Sequence, residues 1–131
     1  MKIKNHVIRY ILAHAQKEAP IEACGFLMGS AGLVTMGLAI TNMERREDHF
    51  TFDAKEQLEA YRTAKESGVE IIAAYHSHPA TPAWPSAEDV RLAVNPTLLY
   101  VIASLADNQE RVKAFRIREG RIEEEPLEGE D

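Results

Sequence analysis

The chain has 131 residues, of which 45% are hydrophobic, 27% charged and 7% aromatic, the make-up of one domain able to bury roughly two-thirds of its unfolded surface. Its formal charge of −6 resides entirely in residues 123–131, where Glu123, Glu124, Glu125, Glu128, Glu130 and Asp131 meet no basic residue, so the preceding 122 residues are neutral. This balance excludes a basic stripe for nucleic acid, no apolar run reaches the length of a membrane span, and the lone Cys24 excludes an internal disulfide. Met1 to His6 lacks the apolar core and cleavage site of a signal peptide, so a reducing cytoplasm is the expected compartment.

In chain order, Val7, Ile8, Ile11, Leu12 and Ala15 recur at helical spacing over residues 4–18, and Pro20 ends that helix. Ala23 to Gly29 and Leu33 to Ile40 are apolar runs separated by Ser30-Ala31-Gly32, which predicts a β-hairpin. Asn42 to His49 is a polar loop long enough to border a groove. Ala54 to Ser67 predicts a second helix with Leu58, Tyr61 and Ala64 on one face and Gly68 at its end.

Val69 to His76 has the composition of a strand buried on both faces, and the three prolines between Pro79 and Pro85 impose a loop. Ser86 to Val94 predicts a short helix, stopped by Asn95-Pro96. Leu98 to Leu105 and Arg111 to Arg118 are strands, joined as a second hairpin through Ala106 to Gln109, and Gly120 turns the chain into Arg121-Ile122. The order α-β-β-α-β-α-β-β predicts an α+β fold, a mixed β-sheet flanked by helices, as a single domain over residues 1–122. Residues 123–131 are expected to form an acidic, poorly ordered tail.

Chemistry concentrates between His76 and Asp89, which read H-x-H-x7-S-x2-D. Side chains two apart on a strand share a face, so His76 and His78 can reach one ion. Asp89, in the first turn of the next helix, can face them across the proline loop. Two imidazoles and a carboxylate suit zinc better than magnesium or calcium, and three protein ligands leave a fourth position for water. Ser86-x-x-Asp89 also has the pattern of a helix N-cap, and one hydroxyl can serve as cap and catalytic donor together. Either half of the motif alone is common, whereas its joint occurrence is a chance event of roughly one in several thousand for this composition. A hydrolase further needs a base, and Glu22, the one acid in the apolar stretch Pro20 to Gly29, is the candidate.

Glu22 followed by this downstream motif resembles the JAMM zinc metalloproteases of the MPN domain superfamily, over nearly the whole chain. The resemblance implies an MPN fold with cytidine-deaminase-like layering and one Zn2+ per chain held by His76, His78 and Asp89. It also implies Glu22 as general acid/base, with Ser86 hydrogen-bonding the catalytic water or the tetrahedral oxyanion. The wording Glu22-x-Cys24-Gly25-x3-Gly29 and His78-Pro79 to Ser86 is similar to the small prokaryotic members. For these the implied substrate is a ubiquitin-like sulfur-carrier protein or its conjugates, cut after the C-terminal Gly-Gly, for example to release cysteine. A homodimer is an option; neither nucleic acid nor membrane is implied. Two other readings stay open on the sequence, a metal-free MPN interaction scaffold and the RadC-type branch linked to DNA repair. Cys24 is expected to be a buried structural thiol, His6, His14 and His49 to lie on the surface or on a helix face, and Trp84 to pack either against substrate or against the core.

Overall fold

The computed structural model describes residues 1–106 and 111–131. Its elements are β1 (Lys2–Lys4), α1 (Asn5–Glu18), β2 (Cys24–Ser30), β3 (Leu33–Ile40), α2 (Ala54–Glu66), β4 (Glu70–His78), α3 (Ala87–Leu92), β5 (Leu99–Ser104), β6 (Arg111–Arg118), β7 (Arg121–Glu125) and β8 (Glu128–Glu130). All the strands join one sheet in the order β7-β6-β5-β4-β2-β3-β1-β8. β4 runs parallel to β5, and β1 parallel to β3 and β8, while the other neighbours are antiparallel. The expected mixed sheet with flanking helices is what the chain forms. No helix among the described residues is long and apolar enough to cross a membrane.

Alternation along the strands divides the core. Leu27, Ala73, Tyr75, Val101, Ala103 and Ala114 face α1, which contributes Val7, Ile11 and Ala15. Each of those fully buried valine and isoleucine side chains stabilises the fold by about 1.5–3 kcal/mol. Phe26, Met28 and Ala74 face the other way, against Ala60 and Ala64 of α2. On that same side Ile102, Phe115 and Ile117 pack against Val90 and Ala93 at α3. The β2–β3 turn places Ala31 and Gly32 at φ 52° and 77°, the twist that suits a two-residue hairpin. Gly25 is required for a different reason: a Cβ there would lie 2.4 Å from Leu38 O and 2.4 Å from the Tyr75 ring.

Four expectations need correction or qualification. The acidic end is not a loose tail, because Arg121–Glu125 forms β7 on β6 and Glu128–Glu130 forms β8 on β1. Its charges meet cations of neighbouring strands: Lys113 lies 4.0 Å from Glu124 and Arg116 3.6 Å from Glu125 across the β6–β7 hairpin, and the β1 register sets Lys2 and Lys4 from the far end of the chain opposite Glu128 and Glu130. Leu58 does not join the buried face of α2; it and Tyr61 are 60% and 46% exposed, and the face that packs carries Ala60 and Ala64. β4 continues past His76 to His78, so both histidines are strand residues. β5 and β6 do pair antiparallel, but their connection through Asp107 to Gln109 lies outside the described residues.

Candidate metal centre and adjoining cleft

β4 is an interior strand, buried from Ala73 to His78, and past the register shift near Ile72 the side chains of Ala74, His76 and His78 point to the α2–α3 side. His76 and His78 therefore project together from its C-terminal end, each 4% exposed. Asp89 reaches them from α3. Its Oδ1 lies 3.2 Å from His76 Nε2 and its Oδ2 3.1 Å from His78 Nε2, with the two Nε2 atoms 3.1 Å apart. A tetrahedral ion with bonds of roughly 2.0–2.1 Å has donor–donor edges of roughly 3.3–3.4 Å, so this donor set fits zinc. The orientation of His78 is fixed from behind, since its Nδ1–H donates to Pro82 O at 2.9 Å and turns Nε2 toward Asp89.

The charges follow the same geometry. Burial disfavours ionised Asp89, but hydrogen bonds from both histidines and from the Ser86 backbone more than offset this and hold its carboxyl far below the usual range. Burial lowers the pKa of His76, with Asp89 opposing. At His78 burial works the same way, yet the bonds to Asp89 and Pro82 outweigh it and the pKa rises.

Glu22 immediately precedes β2, and the β2–β4 register sets Cys24 opposite His76. Ala23 N–H donates to Ser77 Oγ at 2.7 Å and Ser77 N–H to Ala23 O at 2.9 Å, which brings Glu22 beside the end of β4. The residue is 5% exposed. Burial pushes its carboxyl up to about 8, with His78 pulling it down and Asp89 and Asp48 adding to the rise. A buried acid poised near neutrality beside three converging donors is an arrangement for moving protons.

The family model described as prokaryotic homologs of the JAB domain matches residues 4–118. The chain is a prokaryotic JAB protein. It is 35% identical over 128 residues to a CysO-cysteine peptidase of Mycobacterium tuberculosis, covering 95% of this chain and 88% of that one. To a desampylase of Haloferax volcanii it is 32% identical over 101 residues, covering 72% and 73% of the two chains. A solution structure of a Desulfitobacterium hafniense protein superposes with a TM-score of 0.91 at 36% identity, covering 99% of this chain and 92% of the other. The fold is shared as well with a structure described as a JAMM metalloprotease-like zinc site in the proteasome and signalosome, at a TM-score of 0.64 and 23% identity over 100% and 98% of the chains.

In this JAB domain Ser86 caps α3. Its Oγ accepts from Asp89 N–H at 3.0 Å and its own N–H donates to Asp89 Oδ2 at 2.9 Å, a reciprocal capping box that also aims the carboxylate. Ser86 remains solvent-accessible, so its hydroxyl proton is available to a substrate oxygen. Ser86→Ala is expected to keep metal binding, to lower stability by about 1 kcal/mol and to lower kcat by roughly a hundredfold. Metal titration, denaturation and initial rates separate the three effects, and an unchanged kcat would leave capping as the serine's only role.

Two features of the JAB site were not foreseen. Buried Asn42 donates through Nδ2 to Glu22 O at 3.0 Å and to His49 O at 3.1 Å, and its Oδ1 accepts from Glu44 N–H and Thr51 N–H at 3.0 and 3.1 Å. It thus ties the backbone of Glu22 to the 42–51 loop, and Asn42→Ala is expected to cost about 1–3 kcal/mol in denaturant unfolding. The second feature is an apolar cleft of about 480 Å³ running from His76 and Asp89 past Phe50, Phe52 and Tyr61 to Leu92. Phe50 stacks on the His76 ring at 4.7 Å and 27°. The alternation Phe50-Thr51-Phe52 was the available signal for such a wall.

The set-aside residues are also located. Cys24 is buried, donates to Ile40 O at 3.5 Å and is pushed by burial up to about 12, so it is a structural thiol. His14 lies on α1, with its Nδ1 2.8 Å from the Tyr75 hydroxyl. His49 contacts Glu88, pinning the 42–51 loop to α3. Trp84 is 49% exposed and meets Phe115 edge-on at 5.3 Å, so it lies partly on the core and partly in solvent.

Proposed function

We propose that this chain is a zinc-dependent peptidase that hydrolyses the bond after the C-terminal Gly-Gly of a ubiquitin-like sulfur-carrier protein, releasing an amino acid such as cysteine for its biosynthesis. The observation that carries the reading is the convergence of His76, His78 and Asp89 beside the buried acid Glu22, with His76 and Asp89 lining the apolar cleft. Support for the substrate comes from relatives named for cleaving a cysteine, or a ubiquitin-like modifier, from such partners. His76, His78 and Asp89 would hold one zinc. When bound, zinc supplies Lewis acidity toward a carbonyl oxygen and a water acidic enough to ionise near neutral pH.

The chain's own residues do the rest. Glu22 accepts the proton of the attacking water and delivers it to the leaving nitrogen, a task suited to a buried carboxyl beside the three donors. Ser86 donates its hydroxyl to the oxyanion of the tetrahedral intermediate, an interaction worth about 3–4 kcal/mol when preorganised. Phe50 excludes water from one face of His76, and Pro82 O holds the His78 tautomer. A Gly-Gly tail has no side chains to clash with these aromatic walls. The cytoplasm is the compartment this reading places it in, where Cys24 has no oxidising partner to meet.

The test is zinc content together with cleavage of a carrier–cysteine conjugate by the purified chain, with and without chelator. One zinc per chain and chelator-sensitive release of cysteine are expected. Cleavage of a carrier attached through a lysine side chain, with cysteine release absent, would transfer the activity to isopeptide conjugates. A zinc-free intact domain would favour the scaffold reading.

A further inference from the structure

A second groove, of about 890 Å³, begins where the catalytic cleft ends. The two share Val94 and Ile117, so one continuous surface leads from His76 and Asp89 across the end of α3 to the β6–β7 turn. The floor of this groove is apolar, with Val90 and Ile117, Val94 stands exposed beside it, and the rim carries Arg91, Arg118 and Arg121, all exposed. None of these three arginines has an ion-pair partner among the described residues. Arg116 also lines the groove but is paired with Glu125 at 3.6 Å. Glu119 and Glu123 contribute negative charge, against which the four arginines leave the groove positive in a chain that is negative overall.

Folding does not account for this arrangement. The β6–β7 register sets Arg118 directly opposite Arg121, and like charges facing each other across a strand pair are destabilising. The turn between them needs only its own positive φ values, 48° at Glu119 and 78° at Gly120. Nothing in the turn calls for arginine on either side.

We propose that this groove docks the body of the conjugate, through an acidic face of the ubiquitin-like carrier whose tail enters the adjoining cleft. The proposal rests on the peptidase reading above and adds where, and by what chemistry, the folded part of the substrate is recognised. An apolar floor beneath a cationic rim matches a protein surface in which carboxylates surround a small apolar patch. Nucleic acid fits less well, because the apolar floor offers its phosphates no donor and its sugar–phosphate backbone has no apolar patch to cover that floor. Rim charges of this kind govern encounter and salt dependence, and leave bond cleavage to the site itself.

Three probes separate the possibilities: the free carrier of the same organism ending in Gly-Gly, its cysteine conjugate, and a short peptide carrying only the tail. For R118Q/R121Q the free carrier should bind about tenfold more weakly, and more weakly still for R118E/R121E, with the difference vanishing at high salt. KM for the conjugate should rise in parallel, while kcat and hydrolysis of the tail peptide stay at the wild-type level. Lysine substitutions in the acidic face of the carrier should restore binding to R118E/R121E. Thermal unfolding of R118Q/R121Q at or above the wild-type midpoint, as removal of a like-charge pair implies, would show that the variant is folded. Equal binding by wild type and variants, no binding by either, or an equal loss on the tail peptide would overturn the docking site. Arginine-dependent binding of a DNA duplex with the carrier unaffected would replace the proposed partner by nucleic acid. Arginine-dependent carrier binding without cleavage keeps the docking site and removes the peptidase reading; cleavage indifferent to the arginines does the reverse.

Discussion

Glu22→Gln is expected to retain one zinc per chain and to lose roughly two to four orders of magnitude in kcat, the usual span for removing a general acid–base group. The amide keeps the size of the side chain and leaves the backbone contacts with Asn42 and Arg46 in place. What disappears is the carboxylate that would shuttle the proton. Stability gives a second, independent readout in metal-free protein. Burial raises Glu22 from 4.5 to about 8 in the fold, so the stability it contributes is fully present below pH 4.5 and is lost as pH rises through about 8. The glutamine variant should lack that component and should gain on wild type across this window. Chelator-treated protein is needed, because a cation among His76, His78 and Asp89 favours the carboxylate and shifts the window down. Loss of zinc in Glu22→Gln would make Glu22 a ligand; full activity would remove it from the chemistry.

Asp89→Ala carries the second large effect. The carboxylate touches both histidines and accepts the Ser86 N–H, so its removal opens the donor set and half of the capping box at once. Zinc affinity should fall by more than the roughly 10–100-fold typical of losing a hydrogen bond behind a ligand, and activity should fall with it. A stability loss of about 1 kcal/mol from the damaged cap is expected in the metal-free state. Asp89→Asn separates the two contributions, since its amide oxygen still accepts from Ser86 while its charge is gone. In the metal-free state it should lose only the stability that the charged bonds to the two histidines supply, and it should bind zinc poorly. A fully loaded and active Asp89→Ala chain would refute the donor set.

The histidine pair was legible because strand alternation is a local property. His76 and His78 share a face in any strand, and the turn propensity of the intervening prolines brings Asp89 back toward them. Ser86 was legible for a similar reason, as an N-cap is written in four consecutive residues. Glu22 stood out in its apolar stretch, but its place beside His78 follows from the β2–β4 register of Cys24 with His76, a pairing across more than fifty residues. Asn42 and Phe50 escaped attention because their importance arises only where the 42–51 loop folds against the ends of β2 and β4.

The acidic end shows the same division. Composition correctly located the charge, and misjudged its consequence. Whether a run of glutamates is solvated or structured depends on the cations it meets: Lys113 and Arg116 come from the adjacent strand β6, and Lys2 and Lys4 from β1 at the other end of the chain. β1, at three residues, is too short to announce itself by periodicity and exists through its pairing with β3 and β8.

By itself, then, the sequence determined the order of helices and strands over most of the chain and the ligand-type residues that one strand and one helix start present. These are consequences of bonds and alternation within a few residues. Tertiary structure alone decided how close Glu22 comes to them and how deeply it is buried, which aromatics wall the cleft and where three exposed arginines gather. Desolvation and charge coupling depend on what lies within a few ångströms, and the residues that supply them here are brought together by sheet register.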